Sequence, residues 1–246
     1  MSRNFELMRE VERDQAFRSS RLVEPASPIS GEKPNRNNRL DDNLTLRLVQ
    51  QIFLQQTEES PRMVVFAGID HGNGCSQIAT SVAETLAGNA PGAVCLVEAN
   101  FRSPALSAIL GTNNYHGLTD ALLEEGPIRS FIKPVCDGRL WLLSSGPLGA
   151  DSPNLLTSER MRARCLELRQ AFDFVIVDAP PMTRYADAIA LGQLSDGIVL
   201  ILEGGATRRE AARSAVENLR SSRVPVLGAV LNKRTFPIPE RIYNKL

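Results

Sequence analysis

The stretch Val64-Val65-Phe66-Ala67-Gly68-Ile69-Asp70-His71-Gly72-Asn73-Gly74-Cys75-Ser76-Gln77 joins an apolar run to a polar, glycine-bearing loop and then to a helical pattern. Glycines in such a loop let backbone N–H groups converge on an anion at the positive end of the following helix, so the chemistry to expect is phosphate binding. Gly74-Cys75-Ser76 stands where a nucleotide-binding P-loop reads Gly-Lys-Ser/Thr. Cys75 occupies the place of the lysine that bridges the terminal phosphates, Ser76 keeps the hydroxyl that meets Mg²⁺, and Ile69 replaces the first glycine. The candidate nucleotide contacts of this degenerate Walker A loop are Gly72, Asn73, Gly74, Cys75, Ser76 and Gln77. A tight strand-to-helix turn without a ligand is the competing reading. Cys75 has two readings as well: a thiolate favoured by the helix N-terminus and open to oxidation, or a neutral small filler.

Two acids strengthen the phosphate reading. Asp173-Phe174-Val175-Ile176-Val177-Asp178-Ala179-Pro180-Pro181 is an apolar run ending in a carboxylate, as in a Walker B element whose acid faces the metal at the carboxyl end of a sheet. A second run ends Leu96-Val97-Glu98-Ala99-Asn100-Phe101-Arg102. Either acid alone reads as a strand-end cap or a solvated loop residue. At the ends of three parallel strands they describe one crevice, in which Ser76 and Asp178 would meet a metal ion.

The rest of the chain must position these residues. Apolar runs at 63–67, 93–97, 139–143, 174–177, 198–202 and 226–231 alternate with helical patterns at 76–87, 118–124, 158–172, 186–194 and 207–221. Continuous rather than alternating apolar strands mark a sheet buried on both faces. The predicted fold is α/β with three layers, a mostly parallel sheet carrying helices on both faces, as in P-loop NTPases. With 246 residues and 43% apolar content this is one domain, spanning 44–246, with an N-terminal helix at 44–56 and a short C-terminal tail at 235–246. Residues 1–43, interrupted by Pro25, Pro28, Gly31 and Pro34, read as a flexible arm. The charge balance of 28 basic and 28 acidic residues argues against a nucleic-acid partner, and no apolar run approaches the ~20 residues of a membrane helix. The expectation is a cytoplasmic protein without direct membrane insertion. Cys75, Cys95, Cys136 and Cys165 have no metal-type spacing.

Taken in order, these motifs, together with Gly117-Leu118-Thr119-Asp120, Leu155-Leu156-Thr157-Ser158-Glu159, Ala186-Asp187-Ala188 and Val230-Leu231-Asn232-Lys233, resemble the bacterial tyrosine kinases (BY-kinases) of capsule and exopolysaccharide synthesis, a deviant-Walker-A class of P-loop protein. The resemblance covers roughly 44–246. It implies Mg-ATP or Mg-ADP as ligand, Arg102 and Asn232 as further nucleotide contacts, and self-association through the helix before the first strand. It also implies a partner, the cytosolic segment of a membrane polysaccharide co-polymerase, which would hold the protein peripherally at the inner membrane.

The chain departs from that family where chemistry is done. The P-loop lysine is Cys75, and the family's acid pair Asp-x-Asp, which supplies metal binding and the base, is Glu98-Ala99-Asn100; the resemblance thus implies Asp178 and Glu98 as catalytic residues and Ser76, Asp178 and Glu98 as metal ligands. The tyrosine-rich tail is reduced to Tyr243, the sole candidate phosphoacceptor there, while Tyr115 and Tyr185 lie within the domain. Losing a charge-assisted bond of about 1.5–3 kcal/mol weakens nucleotide binding roughly 10- to 100-fold. Phosphotransfer suffers more, because a preorganised cation is worth on the order of a hundredfold in rate. Arg102, Arg208, Arg209 and Lys233 are the candidate substitute cations. Three functions compete. The first is a regulator with weak or absent phosphotransfer, its nucleotide held weakly or not at all; the second is an active Mg-ATP-dependent tyrosine autokinase. The third is a partition- or septum-positioning-type ATPase, against which the loop lacks the early lysine those proteins carry.

Overall fold

The computed structural model describes residues 21–23, 42–54, 60–135, 138–149 and 152–233. In chain order these form strand β1 (Arg21–Val23), helix α1 (Asp42–Ile52), β2 (Met63–Gly68), α2 (Cys75–Asn89), β3 (Val94–Glu98), α3 (Leu106–Ile109) and α4 (Leu118–Leu123). There follow β4 (Lys133–Val135), β5 (Leu140–Leu143), α5 (Glu159–Ala171), β6 (Phe174–Ala179), α6 (Asp187–Gln193), β7 (Gly197–Glu203), α7 (Arg209–Ser221) and β8 (Val226–Asn232). Short 3₁₀ turns occupy Ile128–Phe131 and Ser152–Thr157.

The strands make one sheet in the order β1-β8-β7-β2-β6-β3-β5-β4. Every pairing is parallel except β4 against β5. Side chains along each strand alternate between two cores. Met63, Val65 and Ala67 of β2 join Val175 and Val177 of β6 and Ile198 and Leu200 of β7 under α4, α5, α6 and α7. Val64 and Phe66, with Leu96, Ile176, Val199 and Ile201, face α1 and α2 on the other side. Both faces being covered, each central strand is apolar at nearly every position, which is why it reads as a continuous run. The three-layer, mostly parallel α/β expectation is met.

The helix expected at 44–56 spans Asp42–Ile52 and packs on its own domain. Leu48 and Val49 are fully buried, and Phe53 meets the Phe174 ring edge-on with centroids 6.0 Å apart. The arm expected at 1–43 is not uniformly irregular: Arg21–Val23 pairs with Gly228–Val230 at the sheet edge, and Asp42 opens α1. The remainder of the arm and the tail beyond Lys233, Tyr243 included, lie outside the described residues. The sequence pattern does not reveal β4, whose Lys133-Pro134-Val135 is too short and proline-bearing to register as a strand. Its antiparallel place at the sheet edge tolerates the missing proline N–H.

Candidate phosphate-binding site

Because β2, β3 and β6 are parallel, their carboxyl ends open on one edge of the sheet, where ligands of such folds sit. The loop after β2 turns into α2 through Gly72 at φ 84° and Gly74 at φ 85°. Both are left-handed conformations that a Cβ disfavours, and a Cβ on Gly74 would also fall 2.5 Å from the Asn232 Nδ2. The turn leaves the N–H groups of Gly72, Gly74 and Ser76 without an acceptor among the described residues. Open N–H groups at the positive end of a 15-residue helix constitute an anion cradle.

Side chains from elsewhere hold the loop in this shape. The buried Asn73 donates through Nδ2 to the Ile201 carbonyl at 2.8 Å and accepts from the Cys75 N–H at 3.3 Å. From the end of β8, Asn232 Nδ2 donates to the Asn73 carbonyl at 2.8 Å, and Lys233 Nζ donates to the Gly72 carbonyl at 2.6 Å. Asn232 thus reaches the loop, and Asn73 is a structural brace. A cavity of about 360 Å³ opens over the loop, lined among others by Gly74, Ser76, Gln77, Asn100, Pro181 and Lys233.

Asp178 and Glu98 are neighbours in register across β6 and β3, and both are fully buried. Neither lines the cavity. Ser76 Oγ donates to Asp178 Oδ2 at 2.6 Å, so Asp178 meets the cavity only through that hydroxyl, and its Oδ1 has no hydrogen-bond partner. Burial pushes the Asp178 carboxyl up to about 7; the Ser76 hydroxyl pulls against that, and the neighbouring Glu98 charge adds to it. Glu98 is turned towards its own loop: Oε1 accepts the Ala105 N–H and, at 2.7 Å, the Leu106 N–H. Burial raises its pKa as well, against those two donated bonds. The clamp on residues 105 and 106 is a feature of the site that sequence spacing does not disclose, since α3 is only four residues long.

Cys75 is buried at the start of α2 with its thiol beside Asp178. Burial, then the Asp178 charge, raise its pKa well above that of an ordinary thiol. Of the two readings of Cys75, the neutral filler is the one these surroundings favour: burial and the adjacent carboxylate oppose a thiolate at the helix N-terminus. Arg102 lies away from the loop, with Nε 3.5 Å from Asp187 Oδ2 and its guanidinium 4.4 Å from the centre of the Tyr185 ring. The structure thus brings together Gly72 to Gln77, Asn232 and Asp178, places Glu98 behind them, and sets Arg102 apart. Among the described residues no group of three or more His, Cys, Asp or Glu side chains stands ready to hold a metal ion. Nor is any described helix long and apolar enough to cross a membrane.

No family model matches the chain. Individual relatives do. The tyrosine-protein kinase YwqD of Bacillus subtilis is 29% identical over 213 residues, 81% of this chain and 90% of that protein. The tyrosine-protein kinase CpsD of Streptococcus agalactiae is 26% identical over 181 residues, 73% of this chain and 79% of that protein. The succinoglycan biosynthesis transport protein ExoP of Rhizobium meliloti is 30% identical over 175 residues, 70% of this chain but only 22% of that protein. Among solved structures, the chimerical protein CapA2B2 has a TM-score of 0.73 at 23% identity, over 79% of this chain and 85% of that one. The kinase domain of the Escherichia coli tyrosine kinase ETK has a TM-score of 0.72 at 19% identity, over 83% of this chain and 84% of that one. A ParA family ATPase from Chlorobium tepidum shares the fold less fully, with a TM-score of 0.59 at 16% identity over 75% of this chain and 78% of that one. The chain is a homologue of the bacterial tyrosine-protein kinases of the BY-kinase family and has the fold of their kinase domains.

Proposed function

We propose that this protein is a nucleotide-binding regulator of capsule or exopolysaccharide assembly, built on the BY-kinase scaffold and weak or inactive in phosphotransfer. The carrying observation is Cys75, a buried neutral thiol in the position where the phosphate loop would present a lysine. Around it the cradle is preserved: two left-handed glycines, open N–H groups, and the Ser76–Asp178 pair. These residues fit a magnesium nucleotide. The loop N–H groups would hold the phosphates, and Ser76, backed by the Asp178 carboxylate whose Oδ1 has no hydrogen-bond partner, would take the metal. Mg²⁺ would arrive with the nucleotide, because no dedicated cage of acids exists among the described residues. Bound Mg²⁺ supplies charge neutralisation at the phosphates.

The acid pair does not offer a ready base. Glu98 spends its one partnered oxygen on backbone N–H groups, and Asn100, which accepts the Ser103 N–H at 3.2 Å, is not basic. Relatives that are tyrosine-protein kinases and a succinoglycan biosynthesis transport protein support the setting; the cytosolic segment of a membrane polysaccharide co-polymerase as partner, and self-association as the assembly mode, are part of the same proposal. Calorimetry with Mg-ATP and Mg-ADP, paired with transfer of labelled phosphate, tests the reading. Weak binding in the parent, tightened about 10- to 100-fold in Cys75→Lys, with no labelling of Tyr243, is the expected result. Labelling of Tyr243 by the parent at the rate of an active kinase would replace this reading with that of an autokinase.

A further inference from the structure

The phosphate loop has lost its own lysine, yet one ammonium group stands at its mouth. Lys233 follows the last residue of β8 and has φ 53°, one of two described non-glycine residues in the left-handed region; the other, Arg223, closes the turn after α7. A left-handed lysine is uncommon and is retained where surrounding structure imposes it. Asn232, immediately before it, is tied to the Asn73 carbonyl, so the chain is anchored one residue from the turn. The result throws the Lys233 side chain over the loop, onto the Gly72 carbonyl at 2.6 Å, with Glu203 Oε2 3.3 Å away. Lys233 lines the same cavity as Ser76 and Gln77. An ammonium carries three donors, and these two partners account for two of them.

We infer that Lys233 is the cation that meets the nucleotide's phosphates here, supplied from the end of β8 in place of the side chain at position 75. The inference rests on the nucleotide-binding reading above. Of the other candidate cations, Arg102 is occupied at Asp187 and Tyr185, and neither it nor Arg208 or Arg209 lines the cavity. A flexible four-carbon stem lets the ammonium exchange the Gly72 carbonyl for a phosphate oxygen a short distance away. Glu203 acts as its counter-charge: it holds Lys233 over the loop but offsets part of its attraction for an anion. Lys233 reaches the Gly72 carbonyl and lines the cavity, whereas Cys75 has its thiol beside Asp178, so the two positions meet the loop at different places. This places the ligand's charge neutralisation apart from the acid pair.

The experiment measures Mg-ADP and Mg-ATP affinity by calorimetry in the full-length parent, Lys233→Gln, Lys233→Arg and Glu203→Gln. Ligand-free melting curves accompany each variant. Lys233→Gln keeps a donor for the Gly72 carbonyl and removes only the charge, so its ligand-free melting temperature should match the parent while affinity falls about 10-fold or more. Lys233→Arg should bind within about threefold of the parent, and Glu203→Gln should bind about two- to fivefold more tightly, a gain that a purely structural lysine would not produce. Nucleotide binding in the parent with unchanged affinity in Lys233→Gln overturns the assignment of Lys233 and leaves the nucleotide-binding reading standing. No binding in the parent, even at millimolar nucleotide, overturns both.

Discussion

Two loops leave the same edge of the sheet, one after β2 and one after β3, and they treat their polar groups in opposite ways. The loop after β2 keeps N–H groups of Gly72, Gly74 and Ser76 open and is braced by side-chain bonds from Asn73, Asn232 and Lys233. The loop after β3 spends its acceptors on its own backbone: Glu98 Oε1 accepts the Ala105 and Leu106 N–H groups, and Asn100 accepts that of Ser103. A loop with unspent donors is available to an anion, whereas Glu98 has turned Oε1 to backbone donors and keeps only a buried Oε2 without a hydrogen-bond partner, on a side chain that does not line the cavity. The two loops thus differ in which polar groups they leave unspent. On the function proposed above, the first is the receptor and the second a fastening.

The largest consequence should come from Glu98→Ala, which strips the acceptor from two backbone N–H groups in a buried setting. At about 1–3 kcal/mol for each unsatisfied group, urea unfolding should register a loss of roughly 2–6 kcal/mol. Glu98→Gln keeps an acceptor and should cost less than half as much. If Glu98→Ala kept full stability and instead abolished nucleotide binding, the loop after β3 would be part of the receptor and the contrast would fail.

Asp178 provides the next test. Its folded-state pKa of about 7 lies above the ordinary carboxylate value, so the folded protein holds the proton more tightly than the unfolded chain does between about pH 4 and pH 7. Stability is therefore greatest at the acid end of that window and declines as pH rises through about 7. Asp178→Asn, which retains an acceptor for Ser76 Oγ, should reduce the decline, leaving the share contributed by the raised pKa of Glu98. It should melt at least ~3 °C higher than the parent at pH 8 and show little difference near pH 4. A parent that gains stability across the same window would show that Asp178 is held as a carboxylate rather than pushed up by burial.

A smaller effect separates the two glycines of the receptor loop. Gly74→Ala must bear a left-handed backbone and displace Asn232, and should cost about 1–2 kcal/mol with weakened nucleotide binding. Gly72→Ala carries the same backbone strain but meets nothing within 4 Å, so about 1 kcal/mol is expected. Equal costs would mean that the tie to Asn232 contributes nothing to the loop. The smallest response is that of Cys75 to alkylation in the native state. Peptide mass spectrometry after iodoacetamide at pH 7.5 should find it essentially unmodified until the protein is unfolded, because burial keeps the thiol protonated and covered.

Much of the scaffold is legible in the amino-acid pattern. The runs at 63–67, 93–97, 174–177, 198–202 and 226–231 each correspond to a strand of the sheet, because a strand covered on both faces must be apolar at consecutive positions. Ser158 is readable as a helix start, and its Oγ does accept the Met161 N–H. Short elements are not legible. Three residues of β4 and four of α3 carry no periodicity, and the pairing of Arg21–Val23 with β8 joins residues some 200 positions apart. Within the site, Gly72, Gly74, Ser76 and Asp178 are recognisable by spacing because each acts through a local backbone shape or a strand end.

Residue identity and order alone determined the sheet's composition, the phosphate-loop layout and the exchange of lysine for Cys75, since these are properties of short segments. Only the tertiary structure decided which groups were spent and which were free. Glu98 could have faced a metal, yet the chain after β3 folds back and engages it. Cys75 could have been a thiolate, but the strand beside it places Asp178 against the thiol. Lys233 could have pointed to solvent, and a left-handed turn at the end of β8 lays it on Gly72. Charge and hydrogen bonding act through space over a few ångströms, and which residues come that close is settled by the packing of strands far apart in the chain.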